Sequence, residues 1–473
     1  MVKPTDTIDC PNILWICTDQ QRYDTIGALG NPHIRTPNLD RLVSDGVAFT
    51  HTYCQSPICT PSRASFMTGC YPSSVHACMN RNAYWSEAAP LVSKLLADAG
   101  YDCGLVGKLH LADCKWRMEP RPRDDGYRVF HPSQNSRDRW PGGVNEYVEW
   151  AKKQGGVFGG RDNLLLDSRP ELHQTTWCAD RAIEFMESTG QSPWLISVHP
   201  FDPHKPFDPP AEYARRYDAE ALPDPLFRDS DIAAQRALQE VDFQTAVRRP
   251  EEFNARQIKA KYYAMIELID HNVGRLLDAL ERSGQREDTV VIFMSDHGEM
   301  LGDHGLLLKG CRFYEGLVRV PLIISWPSRF GCGIQSHDLV ELTDLVPTVL
   351  EIAEVPLPRH VQGLSLLPVL SGAGDGLRRD SVRCEYYRAL QEGNQVTNYH
   401  GSYATMIRNR RHKLVVYHGH PKGELFDLDA DPGEFENLWN SPEHEAIRFA
   451  LLKKSFDALA WAVDVGPDPP AKP

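Results

Sequence analysis

Four short apolar runs in this 473-residue chain end in side chains that can do chemistry. Ile13–Cys17 runs into Thr18-Asp19-Gln20, and Cys103–Val106 into Gly107-Lys108-Leu109-His110-Leu111. Trp194–Val198 leads to His199-Pro200-Phe201-Asp202-Pro203-His204-Lys205-Pro206-Phe207, and Thr289–Met294 to Ser295-Asp296-His297-Gly298-Glu299. In open α/β sheets ligands bind outside the carboxyl ends of the strands, so four such ends would gather acidic, basic and imidazole groups in one place. A fifth stretch, Cys59-Thr60-Pro61-Ser62-Arg63-Ala64-Ser65 continuing to Thr68-Gly69, sets an arginine one helical turn after a cysteine. Taken singly, each pattern also fits a turn aspartate, a solvated lysine, a core histidine or a small buried thiol. Short motifs give chance matches, and the ordered set is what carries weight.

The stretch from Cys59 resembles the signature of the type I sulfatases. The resemblance implies that Cys59 is oxidised to formylglycine by a formylglycine-generating maturation enzyme and serves as the nucleophile. It further implies a metal site of Asp19, Asp296, His297 and an oxygen of the modified Cys59. Mainly hard oxygen ligands with one imidazole suit Ca²⁺, Mg²⁺ or Mn²⁺ better than a structural zinc, and Ca²⁺ is favoured. Many sulfatases have two consecutive Asp where this chain has Asp19-Gln20. That departure resembles the subgroup of choline sulfatases and phosphonate monoester hydrolases, and leaves Gln20 open as a ligand. Lys108-Leu109-His110 is similar to the Gly-Lys-Trp-His-Leu element, with Lys108 facing nucleophile and sulfate and His110 as the base. His204 matches the histidine of the Pro-His-x-Pro-Phe loop that contacts the leaving oxygen. Lys309, in Gly305-Leu306-Leu307-Leu308-Lys309-Gly310, matches the distal lysine. Arg63 would bond the modified residue and the metal-bound carboxylates, and Asn80 is comparable to a substrate-contacting Asn of the wider superfamily.

The chemistry explains why an aldehyde is needed. A sulfate ester attacked by an ordinary Ser or Cys leaves a sulfated enzyme that is hard to cleave. A hydrated aldehyde has two hydroxyls: one can attack sulfur, and deprotonating the other expels sulfate by carbon–oxygen cleavage.

The elements that must position these groups alternate short β-rich runs with helical periodicity, the pattern of a mostly parallel sheet flanked by helices. Pro321–Ser325 reads as a further strand. Helices are expected over Pro37–Val43, Pro61–Met67, Leu91–Ala99, Thr175–Glu187, Ala255–Glu281 and Asp344–Ile352. Ala219–Arg249 lacks periodicity and reads as an insertion, one of the loops expected to set specificity together with Cys114–Arg139 and Gly155–Arg169. Residues 1–375 are expected to form the catalytic domain. Residues 376–473 would form a small antiparallel sheet with a closing helix, from strands over Ser402–Arg408, His412–Tyr417 and Glu424–Leu428. With the resemblance, the expected fold is the alkaline-phosphatase-like α/β sandwich.

A net charge of −13 argues against a nucleic-acid partner, and no apolar run approaches membrane-spanning length. Met1–Cys10 lacks the pattern of a signal peptide, which points to a cytoplasmic protein. The twelve cysteines include no CxxC pair and read mostly as reduced core thiols. The expected activity is hydrolysis of a small-molecule sulfate ester, arylsulfatase-like and with side activity toward phosphonate and phosphate esters. A phosphonate monoester or phosphodiester hydrolase on the same site is the alternative, a non-catalytic metal-stabilised scaffold is a remote one, and a homo-oligomer is left open.

Overall fold

Continuous runs of Val, Ile, Leu and Phe can be buried on both faces only in the interior of a layered sheet, and that is where the computed structural model places them. It describes residues 10–80, 82, 85, 89–112, 121–138, 145–166, 169–190, 192–372, 376–377, 379–387 and 401–462. In chain order the first strands are β1 (Asn12–Thr18), β2 (Val47–Tyr53), β3 (Asp102–Gly107), β4 (Val129–Pro132), β5 (Phe158–Gly159) and β6 (Leu164–Leu165). They are followed by β7 (Trp194–His199), β8 (Thr289–Ser295), β9 (Arg319–Val320), β10 (Leu322–Ser325) and β11 (Ile334–Glu341). Except for β5 and β6, which pair with each other, they form one sheet in the order β11-β2-β10-β8-β1-β7-β3-β4, with β9 beside β2. The run from β8 through β1, β7 and β3 to β4 is parallel throughout. The expected Pro321–Ser325 strand is β10, which runs antiparallel to β8 and β2 and so contributes no carboxyl end to the site.

Alternate residues of β1 enter opposite cores. Ile13, Trp15 and Cys17 pack with helices Cys59–Thr68, Val92–Asp98 and Leu345–Ile352. Leu14 and Ile16 pack with helices Pro37–Ser44, Gln174–Ser188 and Ala255–Arg282. The expected small sheet is present as β12 (Val382–Tyr387), β13 (Tyr403–Arg408), β14 (His412–Tyr417) and β15 (Gly423–Asp427), an antiparallel meander backed by helix Glu445–Trp461. Its inner residues Cys384, Tyr386, Met406 and Tyr417 belong to the same core as Trp15. The insertion contains a helix, Asp229–Ala237, where no regular element was expected. Thr36, which precedes the helix Pro37–Ser44, makes no side-chain cap bond to it, and its Oγ1 accepts from Gly27 N. Every described cysteine is a free thiol, and among the described residues no helix is long and apolar enough to cross a membrane.

Candidate active site

β1 and β8 lie side by side with Thr18 opposite Ser295, so the next residues, Asp19 and Asp296, leave the sheet together. Asp296 N donates to Thr18 O at 3.2 Å, tying it to the end of β1, and Asp19 N donates to Asp202 O at 3.1 Å, tying it to the loop after β7. Cys59 is the first residue of its helix, which starts two residues earlier than the sequence suggests because Pro61 fits the first turn. All ten residues of that helix, Cys59–Thr68, are buried.

Ligand-capable atoms of Asp19, Cys59, Asp296 and His297 lie within 4.8 Å of one another, and all four residues are buried. Cys59 Sγ is 3.2 Å from His297 Nε2 and 3.6 Å from Asp19 Oδ1. Arg63 Nε donates to Asp296 Oδ2 at 2.9 Å, and its Nη1 donates to Lys108 O at 2.7 Å. Lys309 Nζ lies 2.8 Å from Cys59 Sγ and 3.1 Å from His297 Nε2, while Lys108 Nζ pairs with Asp19 and lies 3.5 Å from the same sulfur. The structure thus brings Asp19, Cys59, Arg63, Lys108, Asp296, His297 and Lys309 to one point.

The electrostatics follow from that crowding. Burial opposes the charged form of Asp19, but Lys108, Lys309 and Arg63 outweigh it and hold the carboxyl well below its ordinary range. Burial and Asp19 push the Cys59 thiol up, yet Lys108 and Lys309 bring it down to about 5. Burial would lower Lys108, but Asp19 and Cys59 keep it protonated.

Gly107 ends β3 at φ +102°, and a Cβ there would stand 2.0 Å from His199 O, so only glycine allows this turn toward the site. His110 follows at φ +55° with its Nδ1 buried and without a partner. Burial, then Lys108 and Arg63, drive the His110 ring well below its ordinary pKa, so it stands neutral and able to accept a proton. Half-buried His204 has its Nδ1 2.7 Å from Lys205 O and its ring 4.6 Å from that of Phe201. Burial and Lys309 likewise keep it neutral. Asn80 Oδ1 accepts from Thr60 N at 3.0 Å, beside the first turn of the Cys59 helix.

The donor set fits a divalent cation on three observations. His297 Nδ1 faces Gly298 O at 2.9 Å; a carbonyl only accepts, so Nδ1 carries the proton and Nε2 presents its lone pair to the cluster. Asp19 and Asp296 are both fully buried, and carboxylates so placed need cations. Gln20 Oε1 is buried without a partner, while its Nε2 is held by Glu299 and its N donates to Asp296 Oδ1 at 3.0 Å. Glu299, named with the end of β8 but given no role by the sequence, links two parts of the site. Besides Gln20 it accepts from Leu301 N and Leu308 N, joining the Gln20 turn to the segment carrying Lys309. Its only signal was its position two residues after His297.

A mostly parallel sheet with a carboxylate–imidazole cluster at its central strand ends, and a small antiparallel sheet behind, defines a hydrolase of the alkaline phosphatase superfamily. Residues 11–355 match the family described as Sulfatase, and residues 302–460 match that described as N-sulphoglucosamine sulphohydrolase, C-terminal. The chain is 31% identical over 468 residues to an arylsulfatase of Clostridium perfringens, covering 94% of this chain and 93% of that protein. It is 30% identical to a choline-sulfatase of Rhizobium meliloti, covering 96% and 87%. Among solved structures it resembles the phosphonate monoester hydrolase of Agrobacterium radiobacter, with a TM-score of 0.82, 26% identity and 96% of each chain covered. The chain belongs to the sulfatase family and is a sulfuric ester hydrolase.

Proposed function

We propose that the chain hydrolyses a small-molecule sulfate monoester with formylglycine made from Cys59 as nucleophile and one divalent metal, Ca²⁺ by preference, held by Asp19, Asp296, His297 and the modified residue. The observation that carries this reading is the convergence of two lysines, two aspartates and one histidine around Cys59. The thiol stands where the oxygens of the hydrated aldehyde would be. Gln20 Oε1, buried and unpartnered, supports adding Gln20 to the ligand set. When bound, the metal supplies Lewis acidity toward a sulfuryl oxygen. When formed, the hydrated aldehyde supplies two hydroxyls, one to attack sulfur and one whose deprotonation releases sulfate by carbon–oxygen cleavage.

The chain's own residues do the rest. Lys108 and Lys309 face the sulfate oxygens, and Lys309 also meets the departing oxygen. Neutral His204, on a loop stiffened by three prolines, contacts that oxygen, and neutral His110 takes the proton that drives sulfate release. Arg63 holds Asp296 and the modified residue in register, and Asn80 lines the substrate side. A single general acid or base supplies about 10²–10⁴ in rate, so several of these groups must act together to reach the roughly 10⁶-fold or more typical of enzymes.

One specific likeness favours a second reading, a phosphonate monoester hydrolase on the same site, because the Agrobacterium radiobacter enzyme shares the fold over 96% of both chains. The deciding experiment is the mass of the tryptic peptide ending at Arg63, from protein co-expressed with a formylglycine-generating enzyme. The expected peptide is lighter by exchange of SH₂ for O, or is its hydrate, and the converted protein turns over an aryl sulfate faster than a phenyl phosphonate. An intact thiol removes the mechanism, and the reverse rate order removes the substrate class.

A further inference from the structure

A lysine reaches its target through four flexible bonds, so its placement depends on the backbone that carries it. Lys309 is 1% exposed and delivers Nζ to Cys59 and His297, yet it sits in an irregular segment, 305–311, outside the main sheet. On one side that segment is bonded to the loop after β8: Leu308 N donates to Glu299, and Met300 N donates to Leu308 O at 3.1 Å. On the other side lies the insertion. Gln244 N donates to Lys309 O at 3.1 Å, Cys311 N to Asp242 O at 2.8 Å, and Arg248 N to Gly305 O at 3.0 Å. Thr245 sits at the centre: its Oγ1 donates to Leu307 O at 2.9 Å and accepts from Leu307 N at 3.2 Å.

Two glycines make room for this contact. A Cβ on Gly305 would lie 2.5 Å from Arg248 O, and one on Gly310 would lie 2.7 Å from Phe243 Cα. The five-residue spacing Gly305 to Gly310 therefore brackets the lysine with the two points where the insertion comes closest. Asp242 N also donates to Ser402 Oγ at 2.8 Å, which fixes the insertion to the segment leading into β13.

We infer that residues 242–248 are a clamp that positions Lys309, with Thr245 as the positioning residue, rather than a loop that selects substrates. The inference rests on reading Lys309 as a contact of the sulfate group. Thr245 touches no reacting atom and acts only through the segment it holds. Misplacement of a catalytic group by about 1 Å can cost 10²-fold.

The test is a double-mutant cycle of Thr245→Val and Lys309→Ala on the converted enzyme, with Thr245→Ser as the conservative control. Thr245→Val is expected to lower kcat/KM for an aryl sulfate by about 10–100-fold, and Thr245→Ser to retain wild-type rates. Adding Thr245→Val to Lys309→Ala is expected to cost nothing further, because the lysine through which it acts is gone. Additive losses in the double variant, or equal losses in the Val and Ser variants, overturn the clamp. Should the wild type hydrolyse a phenyl phosphonate but no sulfate ester, the sulfatase reading falls while the same cycle on the phosphonate still decides the clamp. With neither ester turned over, calorimetric affinity for inorganic sulfate supplies the cycle, and additivity there is equally fatal.

Discussion

Cys17 and Cys59 are both buried thiols, and their surroundings push them in opposite directions. Burial raises Cys17 well above its ordinary value, and Arg63 does not compensate. Cys59 has two lysine ammonium groups and an imidazole around its sulfur and falls to about 5. An unfolded cysteine titrates near pH ~8.5, so the folded state favours the Cys59 thiolate. Its contribution to stability is complete above that value, shrinks as pH falls and is gone once pH drops through about 5. In unconverted protein, the ultraviolet thiolate absorbance of wild type minus Cys59→Ser should therefore show a midpoint near 5. A midpoint in the ordinary cysteine range would mean that Lys108 and Lys309 do not gather at the sulfur.

At the scale of elements, the turn after β3 decides where Lys108 points. Gly107→Ala forces a Cβ against the backbone of His199, so it should destabilise the fold by more than about 1 kcal/mol, read as a lower urea midpoint. An unchanged midpoint would show that β3 and β7 can part at that end. How far such elements can be read from sequence depends on whether their signal is local. The runs at β1, β3, β7 and β8 are predominantly apolar, with only Ser197 breaking that of β7, and so are legible to within a residue or two. In β2, Thr50-His51-Thr52 interrupts the apolar pattern, and in β11 Ser336, His337 and Asp338 do the same, so both strands escape notice. The antiparallel direction of β10 has no local signature at all. Asp19, Cys59, Asp296 and His297 can be read because each lies inside a recognisable stretch. Glu299 and Thr245 cannot, because their significance lies in hydrogen bonds to Leu308 and Leu307.

Over the whole molecule, the small sheet is part of the main core. Cys384, Tyr386, Met406 and Tyr417 pack in one cluster with Trp15 and Phe66, and Lys413 Nζ reaches Glu315 and Glu434 at 2.7 Å each. A fragment of residues 1–375 would expose that apolar surface and leave Glu315 without its lysine. It should fail to show a cooperative thermal transition, whereas the full chain shows one. Cooperative melting of the fragment would make residues 376–473 a separable unit.

The burial of the entire helix Cys59–Thr68 also sets a clock on biosynthesis. Under the proposed mechanism, an enzyme that must grip Cys59 and its neighbours could not do so once these residues are enclosed, so oxidation would have to occur on the unfolded chain. The enclosing lysine, Lys309, lies 250 residues further on. At a synthesis rate of about 5–20 residues per second, the ribosome leaves Cys59 accessible for some ~10–50 s before the chain that closes over it has been made. The yield of active protein would then depend on translation speed and on the supply of the maturation enzyme, and slowing elongation should raise the converted fraction.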